Sequence, residues 1–220
     1  MDAERLTLAS TGSRGQAVFE ALREALRDGR LKPGDPLREE EVAGWFGVSR
    51  TPVREAFARL VGKSLLEQAG GRGLVVRRLR KSEVFELYAM REVLEGAAAA
   101  FAATHASPSE VDAIARQQER FSALPPGEAE AAARINQRFH DAIHDCARNR
   151  YLDNALDELA DGIALLGPTT LADTERHRRA IAEHEALLEA IRRRDATGAE
   201  RAARAHIRAA LEARGRGLIE

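Results

Sequence analysis

A mainly α-helical protein in two parts is predicted: an N-terminal unit of three helices closed by a small β-hairpin, then an antiparallel bundle of six helices. Three observations predict it. Apolar residues recur at three- and four-residue steps through most of the 220-residue chain. Glycines cluster between two short apolar runs at 65–76, as in a hairpin. Past residue 82, proline, glycine and asparagine breaks cut the chain into six segments, none with period-two alternation.

The first helix is set by Val18, Phe19, Leu22, Ala25 and Leu26 and stops at Asp28-Gly29. Pro33-Gly34-Asp35-Pro36 then forces a turn. Val42, Ala43, Trp45 and Phe46 form the apolar side of a short second helix that ends at Gly47. Ser49 reads as the N-cap of a third, with Pro52 in its first turn and Val53, Ala56, Phe57 and Leu60 as the buried stripe. Two helices joined at Gly47-Val48-Ser49 make a helix-turn-helix. Leu65 to Gln68 and Leu74 to Val76 flank Ala69-Gly70-Gly71-Arg72-Gly73, a hairpin with a basic tip, which completes a winged helix.

Past the basic segment 77–81, Ser82 is the expected cap of a long helix carrying Val84, Leu87, Tyr88, Val93 and Leu94 into an alanine-rich end. Breaks at Ser107-Pro108, Leu124 to Gly127, Asn149-Arg150, Gly167-Pro168 and Asp195 to Gly198 delimit the rest. The expected domains are therefore 1–76, a linker at 77–81, and a helical bundle at 82–220.

Composition narrows the function. The 34 basic and 35 acidic residues nearly cancel, yet residues 50–80 hold eight basic residues against two acidic ones. Such a surface meets phosphates, or is simply a solvated basic face. A single cysteine, Cys146, excludes an intrachain disulfide framework, zinc fingers and iron–sulfur ligation. It reads as a small buried hydrophobe. No apolar run approaches the ~20 residues of a membrane span, and Met1 to Thr11 lacks an apolar signal core, so a cytoplasmic location is expected.

Arg50, Thr51 and Arg54 fall at the start of the third helix, the end that enters a major groove, and arginine reads guanine bidentately. The competing reading pairs Arg54 with Glu55 or Glu41. Arg72 and the flanking Gly71 and Gly73 suit a minor groove and close phosphate approach, and Arg38 is a phosphate candidate. Of the six histidines, His140 lies four residues after Asn136, which places both on one helix face. His184 and His206 lie at comparable depth on two antiparallel helices that turn near Gly198. Three imidazoles and one oxygen can thus converge around an ion. Taken singly, each histidine is more commonly a surface or satisfied core residue.

The run Gly47-Val48-Ser49-Arg50-Thr51-Pro52-Val53-Arg54-Glu55-Ala56 resembles the helix-turn-helix of the GntR family of bacterial transcription regulators, and Leu60 to Val76 resembles its wing. Residues 82–220 are similar to the FCD ligand-binding domain of the FadR subfamily. The landmarks are Leu87-Tyr88-Ala89-Met90-Arg91, Phe139-His140, Glu183-His184 and His206, and six helices match the shorter version of that domain. The resemblance implies DNA contacts by Arg38, Ser49, Arg50, Thr51, Pro52, Arg54, Gly71, Arg72 and Gly73. It implies a divalent metal, zinc or nickel, held by Asn136, His140, His184 and His206, with Arg91 binding an organic-acid effector. Many relatives carry aspartate where this chain has Asn136, and some carry a basic residue within the stretch Glu39-Glu40-Glu41.

The expected function is that of a homodimeric repressor on a pseudo-palindromic duplex operator, released by a small carboxylate. A metal-dependent hydrolase or lyase built on the histidines is the alternative, and a metal-stabilised dimerisation module without effector a third reading. No His-Glu-x-x-His base accompanies the cluster, so the chain is expected not to be an enzyme.

Overall fold

In a computed structural model, residues 13–70, 73–125 and 127–216 are described. They form two compact units: one of residues up to 80 together with 160–167, the other of 81–159 and 168 onward.

In the first unit, α1 (Arg14–Arg27) is capped by the Ser13 hydroxyl, which accepts from the Gln16 amide, and buries Val18, Phe19, Leu22 and Leu26. α2 (Glu39–Phe46) opens with three acidic residues, favourable at the positive end of its dipole. Its cap, Gly47, has φ 61°, a left-handed conformation that glycine adopts without a Cβ clash, and this turns the chain tightly into α3 (Arg50–Gly62). Ser49 is the N-cap of α3 as expected, by backbone conformation alone, since its hydroxyl makes no capping bond.

The hairpin consists of β2 (Leu66–Gln68) and β3 (Leu74–Val76), antiparallel with Leu66 opposite Val76. A third strand, β1 (Pro36–Leu37), pairs with the other edge of β3, giving the order β1-β3-β2. The sequence offered only a turn there. Pro36 fits because it sits on a sheet edge, where a missing N–H costs little. Val18, Leu22, Val42, Val53, Leu60 and Val76 anchor one core between the helices and the sheet.

The second unit holds α4 (Lys81–His105), α5 (Pro108–Ser122), α6 (Ala129–Ala147), α7 (Arg150–Ala164, whose last turn belongs to the first unit), α8 (Thr174–Arg192) and α9 (Ala196–Arg216). A 3₁₀ turn at Thr170–Ala172 precedes α8. Among the described residues, six α-helices therefore follow residue 80, as the breaks predict. One detail differs: Ser82 lies inside α4, which begins at Lys81, so it does not cap the helix. α5 starts in a complete capping box, Ser107 with Glu110, and has proline in its first turn. α4 packs against α9, α6 and α8. Its Ala98, Ala99, Ala102 and Ala103 are fully buried, and a Cβ on Gly96 would come within 3.0 Å of the Arg204 side chain. Small residues along α4 thus let its neighbours approach closely.

In the first unit, Asp161 is 5% exposed and takes hydrogen bonds from Arg23 (2.7 Å) and Arg27 (2.9 Å), a carboxylate neutralised by two guanidinium groups. Among the described residues, no helix is long and apolar enough to cross a membrane.

Candidate functional sites

The first unit exposes the start of α3. Arg50, Thr51 and Arg54 face solvent, as does Ser49, whereas Pro52 is buried against the unit's interior. Arg54 donates to Glu39 Oε2 at 2.8 Å. Arg50 reaches the same oxygen at 3.0 Å and Glu40 Oε1 at 3.0 Å. The hydrogen bonds from Arg50 and then Arg54 hold the Glu39 carboxyl below the usual range. The partner of Arg54 is therefore Glu39, a residue outside the Glu55 or Glu41 pairing considered from spacing. Exposed pairs of this kind contribute little to stability, so phosphates or base edges exchange with them at little cost. Arg38 is exposed at the N-cap of α2. Gly73, at φ 82°, closes the wing by accepting from the Ala69 amide. Gly71 and Arg72 lie outside the described residues.

The second unit gathers histidines. The rings of His140 on α6, His184 on α8 and His206 on α9 lie 4.7 to 5.6 Å apart between centroids. One nitrogen from each falls within 4.8 Å of the others, and all three residues are buried. The antiparallel pairing of α8 and α9 brings 184 and 206 level, as their distances from the turn predict. Asn136 is half-buried one turn before His140 on α6.

Each ring is held by a partner from another element or another turn. His140 Nδ1 lies 2.9 Å from Glu95 Oε2. His184 Nδ1 lies 3.1 Å from Gln118 Oε1. His206 Nδ1 lies 2.8 Å from Glu183 Oε2. The Gln118 amide is oriented by its Nε2, which donates to the Ile181 carbonyl, so its oxygen must accept and His184 must carry its proton on Nδ1. A carboxylate imposes the same tautomer on His140 and His206. Nε2 is then the lone-pair atom of every ring. Among the described residues, the buried Nε2 atoms of His140 and His184 have no hydrogen-bond partner. Phe139 stacks on His184 at 4.1 Å and fixes its plane.

The electrostatics agree with ligation. Burial, followed by the neighbouring His206, His140 and Arg176, holds His184 well below the ordinary histidine value. Burial, then His140, Arg176 and Arg91, does the same to His206. Both rings are thus neutral near pH 7, the form that binds a metal. Three buried imidazoles with their Nδ1 atoms engaged, two orphaned Nε2 atoms and an amide one turn away fit a divalent ion.

Glu95 also accepts from His144 Nε2 at 3.0 Å. Burial pushes this carboxyl up, but His140 and His144 outweigh burial and hold it well below its usual range. Glu95, His140 and His144 could chelate on distance alone. Arg91 Nη2, 3.4 Å from Glu95 Oε1, sets a permanent positive charge against that corner, which disfavours a second ion there and suits Glu95 to orienting the two rings. Arg91 is nearly buried on α4 and lies over the Tyr88 ring at 5.3 Å. Cys146 is buried, and desolvation pushes its thiol up to about 11, in keeping with an inert core residue.

Sequence reasoning missed Glu95 and Gln118 as ring-positioning groups, and it named Glu183 only as a neighbour of His184. Glu95 carried one faint signal, its place one turn after Arg91.

Comparison with known proteins places these two units together elsewhere. Residues 14–76 match the family described as bacterial regulatory proteins, gntR family, and residues 86–209 match the FCD domain. The chain is 31% identical over 216 residues to a probable D-xylose utilization operon transcriptional repressor of Paenarthrobacter nicotinovorans, covering 97% of this chain and 93% of that protein. It is 28% identical to the Glc operon transcriptional activator of Escherichia coli strain K12, over 88% of this chain and 85% of the relative. Among solved structures, E. coli McbR/YncC superposes with a TM-score of 0.80 at 25% identity, over 94% of this chain and 100% of that one.

Proposed function

The chain belongs to the GntR family of bacterial regulatory proteins, a DNA-binding transcription regulator with an FCD domain and not an enzyme, and from that premise we propose that it is a homodimeric, metal-containing repressor of the FadR subfamily, released from its operator by a small organic acid. Its domains are 1–76 and 82–220, joined by 77–81, and it acts in the cytoplasm.

The observation that carries the reading is the buried triad His140, His184 and His206, with every Nδ1 engaged and Nε2 left for an ion. Asn136 supplies an oxygen ligand. A bound divalent ion supplies a Lewis-acidic anchor for an effector oxygen. Arg91, buried and with its Nε unsatisfied, takes a carboxylate of the effector. Arg38, Ser49, Arg50, Thr51, Pro52, Arg54 and the wing residues Gly71, Arg72 and Gly73 form the DNA-binding surface, with Arg50 and Arg54 on base edges and Pro52 setting the helix start. Dimerisation is supported by α4, which leaves Phe85, Met90, Val93 and Phe101 exposed, an apolar face that a second copy would cover. A C2 dimer presents two reading heads to a pseudo-palindromic duplex.

An effector changes operator affinity only through its different affinities for the DNA-competent and incompetent arrangements, ~1–3 kcal/mol of coupling being typical. Repression relieved by effector is the sign proposed here, in line with the named repressor among the relatives. The test is His184→Ala: metal content of the purified protein should fall and the response of operator binding to organic acids should disappear, while the helical circular dichroism persists. Full metal content in this variant would overturn the ligand set.

A further inference from the structure

The reading face of the first unit carries its own counter-charge. Arg50 is engaged by two carboxylates: Nε and Nη2 reach Glu39 Oε2 at 3.2 and 3.0 Å, and Nη1 reaches Glu40 Oε1 at 3.0 Å. Arg54 Nε takes the same Glu39 oxygen at 2.8 Å. Two guanidinium groups and two carboxylates therefore sum to zero charge at the start of α3.

The two carboxylates differ in place. Glu39 is 30% exposed and joins both arginines, which holds their forks side by side. Glu40 is 80% exposed and engages Arg50 through Nη1. It lines a groove between the starts of α2 and α3 and the wing, together with Arg38, Arg50, Gln68 and Gly73. Glu40 thus stands among three residues assigned above to the DNA-binding surface. Folding gives little reason for an acid there: Glu39 and Glu41 already meet the positive end of the α2 dipole, and an exposed ion pair contributes little to stability.

Its effect on DNA is larger. A group hydrogen-bonded by Arg50 in the paired geometry lies within about 6 Å of Glu40 Oε1, the sum of two hydrogen-bond lengths. That is inside the ~8 Å screening length at physiological salt, so a phosphate there is repelled. A base edge is neutral and hardly feels the same carboxylate. Guanine can also be read by the Nε and Nη2 edge of Arg50, released from Glu39, while Nη1 stays on Glu40. Nonspecific binding rests on phosphates and bears the repulsion in full, whereas base contacts escape it.

We propose that Glu40 is a specificity-determining residue of the DNA-binding surface, an anion beside Arg50 that weakens binding to the wrong sequence more than binding to the right one. This rests on the assignment of the start of α3 to that surface and deepens it.

The test is binding of the full-length protein, over a range of salt, to a random-sequence duplex and to the duplex it selects from a randomised library. Glu40→Gln should bind the random duplex about threefold more tightly per reading head, the effect of one charge at ~6 Å in a water-like medium. Its dependence on salt should steepen by up to about one in the log–log slope. Affinity for the selected duplex should rise less, so the ratio of the two falls, and the selected sequence should stay the same. Random-duplex affinity that is unchanged or lower overturns the proposal. So does an equal rise in Glu24→Gln, an exposed position on α1, which would read net charge alone. A changed base preference at one position in Glu40→Gln overturns it in favour of direct base reading. If Arg50→Ala leaves both affinities unchanged, the assignment of the surface itself fails and the proposal with it.

Discussion

Replacing Gln118 with leucine isolates the tautomer argument. Gln118 is 4% exposed, its Oε1 accepts from His184 Nδ1, and its Nε2 is held by the Ile181 carbonyl at 3.0 Å and by Ser122 Oγ at 3.2 Å. Leucine has similar volume and suits the neighbouring apolar core, so the helix packing should persist. The Ile181 carbonyl lies within α8, which limits the loss on that side. On the other side, His184 loses the only acceptor in place for its Nδ1 proton among the described residues. Its proton is then free to move to Nε2, which would block the lone pair proposed to hold the ion. Removal of such outer partners costs roughly 10- to 100-fold in metal affinity, or about 1.4–2.7 kcal/mol. Competition of the purified variant against a chromophoric zinc chelator reads this directly, with circular dichroism as the control for folding. Zinc affinity equal to wild type in a folded variant would refute the claim that Gln118 sets the ring.

Arg54→Ala should weaken specific operator binding by about 1–3 kcal/mol per reading head while leaving the oligomeric state intact, which gel-shift titration beside sedimentation can check. An unchanged ratio of specific to nonspecific affinity would remove Arg54 from base readout. Metal-free protein should lose stability as pH falls below about 6.5. His184 and His206 fold with depressed pKa values, so below that pH the unfolded chain takes up protons that the native one refuses, at up to about 1.4 kcal/mol per pH unit per histidine. His144 has a raised value, so its contribution is complete below that pH and does not offset the loss. Urea unfolding at pH 7, 6 and 5 measures the slope, and a flat profile would contradict burial of two neutral rings. Asp161→Ala should destabilise the protein by about 1–3 kcal/mol, less than a fully buried pair, because the Arg23 and Arg27 side chains retain 13% and 30% exposure and can rehydrate.

Local signals carried most of the fold. Gly47 announced the turn between α2 and α3, and the Ser107-Pro108 pair the start of α5, because a left-handed cap and a first-turn proline are written in single residues. β1 was not legible, since two residues have no periodicity and Pro36–Leu37 becomes a strand only by pairing with β3. Ser82 misled in the opposite way: a serine before an apolar run suits an N-cap, but α4 begins one residue earlier.

The site divides along the same line. His140, His184 and His206 could be brought together from helix spacing and turn position, which are properties of sequence. Gln118 lies 66 residues from His184, and Glu95 lies 45 residues from His140. Those partnerships depend on which turn of one helix faces which turn of another. The same holds for Glu39, whose capture of Arg50 and Arg54 follows from the tight angle at Gly47 rather than from spacing along either helix.

The most direct test of the account is operator binding by the full-length protein, loaded with zinc or stripped by chelation, against DNA fragments from around its own gene and across a panel of small organic acids. Sequence-specific binding that one class of acid releases in the metal-loaded protein, and fails to release in the stripped one, is the expected result. Specific binding indifferent to every acid and to the metal, or no specific binding at all, would contradict it.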